Sequence, residues 1–245
     1  LQLRSRVGLH LEAGAVLVGS PRMEDYRHSG FVHVDNHFSH AEGGLSLSLI
    51  YADGEEDVGI RGRGTIDFSS DAFFDFDAVK PIKGVDETRL SAEQRAEAAV
   101  PKKTGPTQPV FFTGCKRVEV SGVKLVNAPS LTINLNDCSD VRIHRITIED
   151  DLRVPISDGI HICACQDVII TDSVFVCGDD CVALTGVTNW NGVSERILIS
   201  NCSMRSSSAA VRVGYLAGKI RDVVISNLVI QGTTRGFTVF AGDDG

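Results

Sequence analysis

The sequence predicts an all-β chain: a right-handed parallel β-helix (solenoid) with three short strands per coil. Two observations predict it. A short phrase anchored on Val or Ile returns with a period in the twenties, and alternating strands fall between Gly, Asn, Asp and Ser turns. A third is that helical periodicity is almost missing between the strands, which speaks against alternating β/α folds.

The phrase runs Glu56-Asp57-Val58-Gly59-Ile60, Lys116-Arg117-Val118-Glu119-Val120 and Ser139-Asp140-Val141-Arg142-Ile143. It continues as Gln166-Asp167-Val168-Ile169-Ile170, Glu195-Arg196-Ile197-Leu198-Ile199 and Arg221-Asp222-Val223-Val224-Ile225. From Val118 onward the anchors step by 23, 27, 29 and 26 residues. A second apolar beat follows, as in Val123-Lys124-Leu125 and Ile146-Thr147-Ile148. A third precedes the phrase: Ile133-Asn134-Leu135, Ile160-His161-Ile162, Val182-Ala183-Leu184, Val211-Arg212-Val213 and Phe237-Thr238-Val239. Leucine-rich repeats share the period but would show Leu-x-x-Leu-x-Leu, which is missing. Cys115, Cys138 and Cys165 fall at one point of three successive coils, and a stack of small buried thiols is the simplest account.

A chain of 245 residues and 26.3 kDa can bury one large core, so a single domain over 1–245 is expected. The net charge of −8 argues against nucleic acid, whose phosphates need a basic face. It also requires local Arg or Lys wherever a polyanion binds. No apolar run reaches the roughly 18 residues that span a bilayer, so no membrane partner is expected. Seven Cys without a Cys-x-x-Cys pair argue against zinc ribbons and a complete disulfide framework, and no cofactor is expected. The first residues lack the features of a signal peptide, and the abrupt opening on a strand suggests a missing upstream segment. The far end stops just after a strand. Because solenoids need polar caps, further coils or a partner are expected there.

Two insertions interrupt the repeat, near 23–44 and 71–108. The first carries His28, His33, His37 and His40 at irregular spacings and reads as a solvated loop. The second contains Ser91 to Ala99, which reads as a short helix capped by Ser91 and ended by Pro101. A long insertion of this kind often walls a binding groove.

The chemistry-bearing stretch runs from Pro155 to Gly186. It holds two Asp-bearing turns, each followed by an alternating strand: Ser157-Asp158-Gly159-Ile160-His161-Ile162 and Asp179-Asp180-Cys181-Val182-Ala183-Leu184. Ile160, Ile162, Val182 and Leu184 face inward, leaving His161 and Ala183 outward. Stacked as neighbouring coils, the strands bring Asp158, Asp179 and Asp180 to one edge. Three mutually repelling carboxylates are not needed for stability, although Asp-Gly and Gly-Asp-Asp are also ordinary turn formers.

Leu49-Ile50-Tyr51-Ala52-Asp53-Gly54, Gly62-Arg63-Gly64-Thr65-Ile66-Asp67, Ser157-Asp158-Gly159-Ile160 and Gly178-Asp179-Asp180-Cys181 occur in that order. In these motifs the chain resembles glycoside hydrolase family 28, the polygalacturonase-like pectin hydrolases, from about Val7 to its end. The resemblance implies a right-handed parallel β-helix acting on a polysaccharide or oligosaccharide, in a secreted or periplasmic setting. It implies that Asp179 is the general acid, and that Asp158 and Asp180 activate a water on the opposite sugar face. That inverting arrangement needs carboxylates roughly 6.5–9.5 Å apart.

The chain departs from the family pattern in places. The Asn-Thr-Asp motif stands here as Ile156-Ser157-Asp158, and the Gly-His-Gly motif as Ser208-Ala209-Ala210, without its histidine. The Arg-Ile-Lys motif that grips a galacturonate carboxylate is Thr238-Val239-Phe240, and a family Asp is His161. The outward ladder beside the site is Asn134, His161, Ala183, Arg212 and Thr238. Arg212, with Arg235, either takes over recognition of a uronate or of sugar hydroxyls, or is a solvated surface Arg. His161 either stands in for the missing histidine or lines the groove. Trp190, the only Trp, either stacks on a sugar ring or caps the core.

The leading expectation is an inverting glycosidase of a pectin-like polysaccharide. The alternatives are a non-catalytic carbohydrate-binding β-helix and a calcium-dependent lyase, which needs a carboxylate cage for Ca²⁺ and a nearby Arg base.

Overall fold

The computed structural model describes residues 1–28, 47–81, 97–103, 105–185, 192–214 and 218–240. Within them the chain winds as the right-handed parallel β-helix expected from the repeat. One parallel sheet, which carries the site, stacks Ile50–Asp53, Val110–Thr113, Ile133–Asn136, Ile160–Cys163, Val182–Thr185, Ala209–Val213 and Arg235–Val239. The other two faces form a twelve-stranded sheet in two rows. They are joined through Val193–Ser206, which spans both rows as one strand.

The register follows the repeat. Val118 pairs with Val141, Val141 with Val168, Val168 with Ile197, and Ile197 with Val223. Each coil therefore places an identical type of side chain at the same height. Val58, Val118, Val141, Val168 and Ile197 form one fully buried column, and Ile60, Val120, Ile143, Ile170 and Ile199 form another. A buried Val or Ile contributes roughly 1.5–3 kcal/mol, so columns of this length dominate the stability of the coil stack. Cys115, Cys138, Cys165 and Cys202 are buried free thiols in this core, as the repeat predicts for the first three.

The residue before each anchor turns the chain. Asp57, Arg117, Asp140, Asp167, Arg196 and Asp222 all have φ between 54° and 57°, the left-handed region in which Asp is enriched. The two Arg in this column are each held by an Asp one coil away. Arg117 meets Asp57 at 2.6 Å, and Arg196 meets Asp167 at 2.8 Å.

The second insertion departs from expectation. Glu97–Pro101 is a strand antiparallel to Phe74–Pro81, so the helix predicted through Ala99 is overturned there. Alanine's helix propensity, worth under about 1 kcal/mol per residue, yields to the ladder of the hairpin. The helix's Ser91 end lies outside the described residues. The hairpin packs beside the loop ahead of Asp158: Ala99 N–H donates to the Arg153 carbonyl, and the Arg153 guanidinium lies over Phe76 and donates to its carbonyl. Tyr26 and Leu47 join Phe73, Phe74, Ala99 and Val154 in a second apolar cluster, so Tyr26 is core although its segment reads as a solvated loop. His33, His37 and His40 lie outside the described residues.

Candidate active site

Two glycines bring the Asp-bearing turns together. A Cβ on Gly178 would stand 2.1 Å from the Val154 carbonyl oxygen and 2.6 Å from Ser157 Oγ. A Cβ on Gly159 would stand 2.5 Å from the Cys181 carbonyl oxygen. Side chains at either position would push the coils apart. Ser157 then clasps them: Gly178 N–H donates to its Oγ at 3.1 Å, and Asp179 N–H to its carbonyl at 3.3 Å. Asp158 and Asp180 are joined through the backbone as well, with Gly159 N–H donating to the Asp180 carbonyl at 2.9 Å.

The result is the cluster expected from stacking. Asp158, Asp179 and Asp180 each offer an oxygen within 4.8 Å of the other two. A cation is placed among them. Arg212 Nε bonds Asp180 Oδ2, Arg212 Nη2 stands 3.4 Å from Asp158 Oδ2, and Ala209 N–H donates to Asp180 Oδ1 at 3.0 Å. Ala209 thus serves the site through its backbone.

The electrostatics separate the carboxyls. Burial pushes Asp179 up to about 7, with the negative neighbour Asp180 adding to the effect. Burial, then Asp179 and Asp180, raises Asp158 well above the usual carboxylate range. Asp180 is ion-paired to Arg212, while Asp179 keeps part of its surface open. Ser206 Oγ donates to the Asp179 carbonyl at 2.5 Å, and the Ser208 hydroxyl bonds the Asp179 side chain.

The predicted outward ladder exists in register: Asn134 beside His161, His161 beside Ala183, Ala183 beside Arg212, and Arg212 beside Thr238. Its face is not open, however, since Asn134, His161 and Ala183 are buried. His161 Nε2 lies 2.7 Å from Thr185 Oγ1, and its Nδ1 lies 3.5 Å from Asp158 Oδ2. His161 therefore touches a carboxyl of the cluster. Arg212 also reaches inward, to the carboxylates. Arg235 is exposed and donates to Ser208 Oγ at 3.0 Å, which places it one residue from Asp179. Trp190 lies outside the described residues. Ser157, Thr185, Ser206 and Ser208 were missed by sequence reasoning, and only Ser157, a hydroxyl residue directly before an Asp-Gly turn, carried a usable signal.

Fold and site together define a class: a parallel β-helix with a buried cluster of three carboxyls and one guanidinium on its flank. The sequence profile described as glycosyl hydrolases family 28 matches residues 46–241. The chain belongs to that family. Polygalacturonase QRT2 of Arabidopsis thaliana is 28% identical over 144 residues, covering 55% of this chain and 30% of that protein. A polygalacturonase of Persea americana is 22% identical over 208 residues, covering 76% of this chain and 43% of its own length. The chain thus spans less than half the length of these relatives. In fold it is similar to an exopolygalacturonase from Thermotoga maritima, with TM-score 0.70, 22% identity and coverage of 98% of this chain and 57% of that one. The family 28 exopolygalacturonase of Yersinia enterocolitica gives TM-score 0.75 at 19% identity, covering 98% and 47%.

Proposed function

We propose that the chain is a glycosidase that cleaves a pectin-like polysaccharide, galacturonan or a related glycan, with inversion at the anomeric carbon. The observation that carries this is the division among the three carboxyls. Asp179, pushed up to about 7 and partly open, holds a proton near neutral pH, as a general acid must. Asp180, ion-paired to Arg212, is the carboxylate that accepts a proton from water, and Asp158 bonds and orients that water beside it. Membership of glycosyl hydrolases family 28 supports the same reading.

In this mechanism Asp179 protonates the glycosidic oxygen as the bond breaks. Water attacks from the opposite face and loses its proton to Asp180. The compactness of the cluster is compatible with this order if the sugar sits above the three carboxyls and the water is held at the Asp158–Asp180 edge. Arg212 stays with the carboxylates. Exposed Arg235, beside Ser208 and Asp179, takes the role of gripping a substrate carboxylate. His161, buried beside the cluster, orients Asp158.

The lyase alternative needs a calcium ion among the carboxylates, coordinated by six to eight oxygens. The three carboxyls are spaced as metal ligands, but the Arg212 guanidinium already supplies the compensating positive charge at that place, which favours the hydrolase reading. The test is a panel of plant polysaccharides and oligosaccharides, reading reducing ends with and without chelator and the first-formed anomer by proton NMR. Chelator-insensitive release of the inverted anomer supports the proposal. Binding without release would make the chain a carbohydrate-binding β-helix, and release of an unsaturated product would make it a lyase.

A further inference from the structure

Asp150 is a buried carboxyl outside the cluster. It follows the strand Thr147–Glu149, and its N–H donates to the Val176 carbonyl at 2.8 Å, so it lies under the start of the turn that carries Asp179 and Asp180. Its two oxygens are divided between two donors of the preceding coil. Ala128 N–H donates to Oδ1 and Thr132 Oγ–H to Oδ2, each at 2.7 Å. Thr132 is itself fully buried, and its N–H donates to the carbonyl of Asp158 at 2.8 Å. A continuous path therefore runs from the Asp150 carboxyl, through one residue, to the backbone of a cluster carboxyl.

The residue type matters for this path. Only a carboxylate accepts from both donors with both oxygens, whereas an amide accepts with one. Burial pushes Asp150 up to about 7, and its anionic form has no cationic partner among the hydrogen bonds it makes. An apolar side chain there would leave the buried Ala128 N–H without an acceptor even if Thr132 were replaced to match.

We propose that Asp150 is a positioning residue that, through Thr132, fixes the backbone of Asp158 and so the seat of the attacking water. This rests on the hydrolase reading of the Asp158 site. It adds a residue to that reading, in a segment (Glu149-Asp150-Asp151) that looks like an ordinary acidic surface run.

The test compares Asp150→Asn, Thr132→Val and Thr132→Ser in the full chain. Amide hydrogen exchange is read at residue 132, with Val118 and Val141 as references. Asp150→Asn and Thr132→Val are each expected to speed exchange at residue 132 about tenfold or more while the references stay unchanged. On the substrate found by the panel, both are expected to lower kcat about tenfold or more with KM within about twofold, the sign of a lost transition-state contribution. Thr132→Ser, which keeps the hydroxyl, restores both readings. The double variant Asp150→Asn/Thr132→Val should lose no more than either single one. Unchanged exchange at residue 132, or a kcat loss that Thr132→Ser shares, would overturn the proposal. If the parent protein cuts nothing, the hydrolase reading fails by itself, and the exchange arm still decides whether Asp150 holds the Asp158 backbone.

Discussion

Arg212 and Asp158 meet at 3.4 Å, although 54 residues separate them in the chain. The same guanidinium holds Asp180, so one cation joins carboxyls from two successive coils. Both carboxyl side chains are almost wholly buried, at 4% and 3% exposure. Removing a buried ion's partner leaves an uncompensated charge, which costs about 3–5 kcal/mol. Arg212→Ala should therefore lower the unfolding free energy by that order in urea titrations at neutral pH. Arg212→Lys should recover only part of the loss, because a single ammonium cannot face both carboxyls in the geometry of a guanidinium fork. If Arg212→Ala unfolds at the parent's urea midpoint, the bridge contributes little.

Activity should follow the proton on Asp179. Burial and the neighbour Asp180 raise it to about 7, so its acid form prevails below that pH and is lost above it. The rate kcat/KM should fall about tenfold per pH unit on the alkaline side of a break near 7. A plateau that runs unchanged to pH 9 would remove Asp179 from the acid role.

Stability should fall as the pH rises. Asp150 and Asp179 are raised to about 7 and Asp158 is raised well above its ordinary value, in each case chiefly by burial. A carboxyl whose folded value exceeds its unfolded value binds its proton more tightly in the native state. Its contribution is complete below the unfolded value near 4 and is lost as pH rises through the folded value. Melting temperature should thus decline between pH 4 and 7, on the strength of these groups. Asp150→Asn should flatten that slope, and a slope identical to the parent's would contradict the assignment.

Gly178→Ala should damage the protein more than a surface Gly→Ala change. Its added methyl meets the backbone oxygen of Val154 at 2.1 Å, which cannot move aside without shifting the loop before Asp158. Overpacking of this kind costs about 1–3 kcal/mol. Gly14, where an added Cβ meets nothing within 4 Å, is also at positive φ, so Gly236 is the fairer comparison. Calorimetry of the two alanine variants would decide it, and equal melting temperatures would contradict the close packing of the two turns.

Much of the fold was legible because a solenoid writes its register into its period. The Val and Ile anchors that recur at 118, 141, 168, 197 and 223 are the pairs that meet in the sheet. The clustering of Asp158, Asp179 and Asp180 followed from the same stacking. Periodicity states which face a residue occupies but not how far a long side chain reaches. The turn of Arg212 toward Asp180 and Asp158 was therefore beyond it, as was the burial of Asn134 and His161 on the outward face. Glu97–Pro101 was misread because local alanine content outweighed a pairing with Phe74–Pro81 that only the tertiary structure reveals. Asp150 was passed over because an acidic run resembles a surface until its hydrogen bonds are known.

The division of labour between Asp179 and Asp180 is tested most directly with two substrates of the same sugar. One is the natural glycan. The other is an aryl glycoside whose leaving group departs without a proton. Asp179→Asn should lose about 10²–10⁴-fold in kcat on the glycan, the usual contribution of a general acid, and keep most of its rate on the aryl glycoside. Asp180→Asn should lose comparably on both, since both need an activated water. Equal losses on the two substrates for Asp179→Asn would contradict the account.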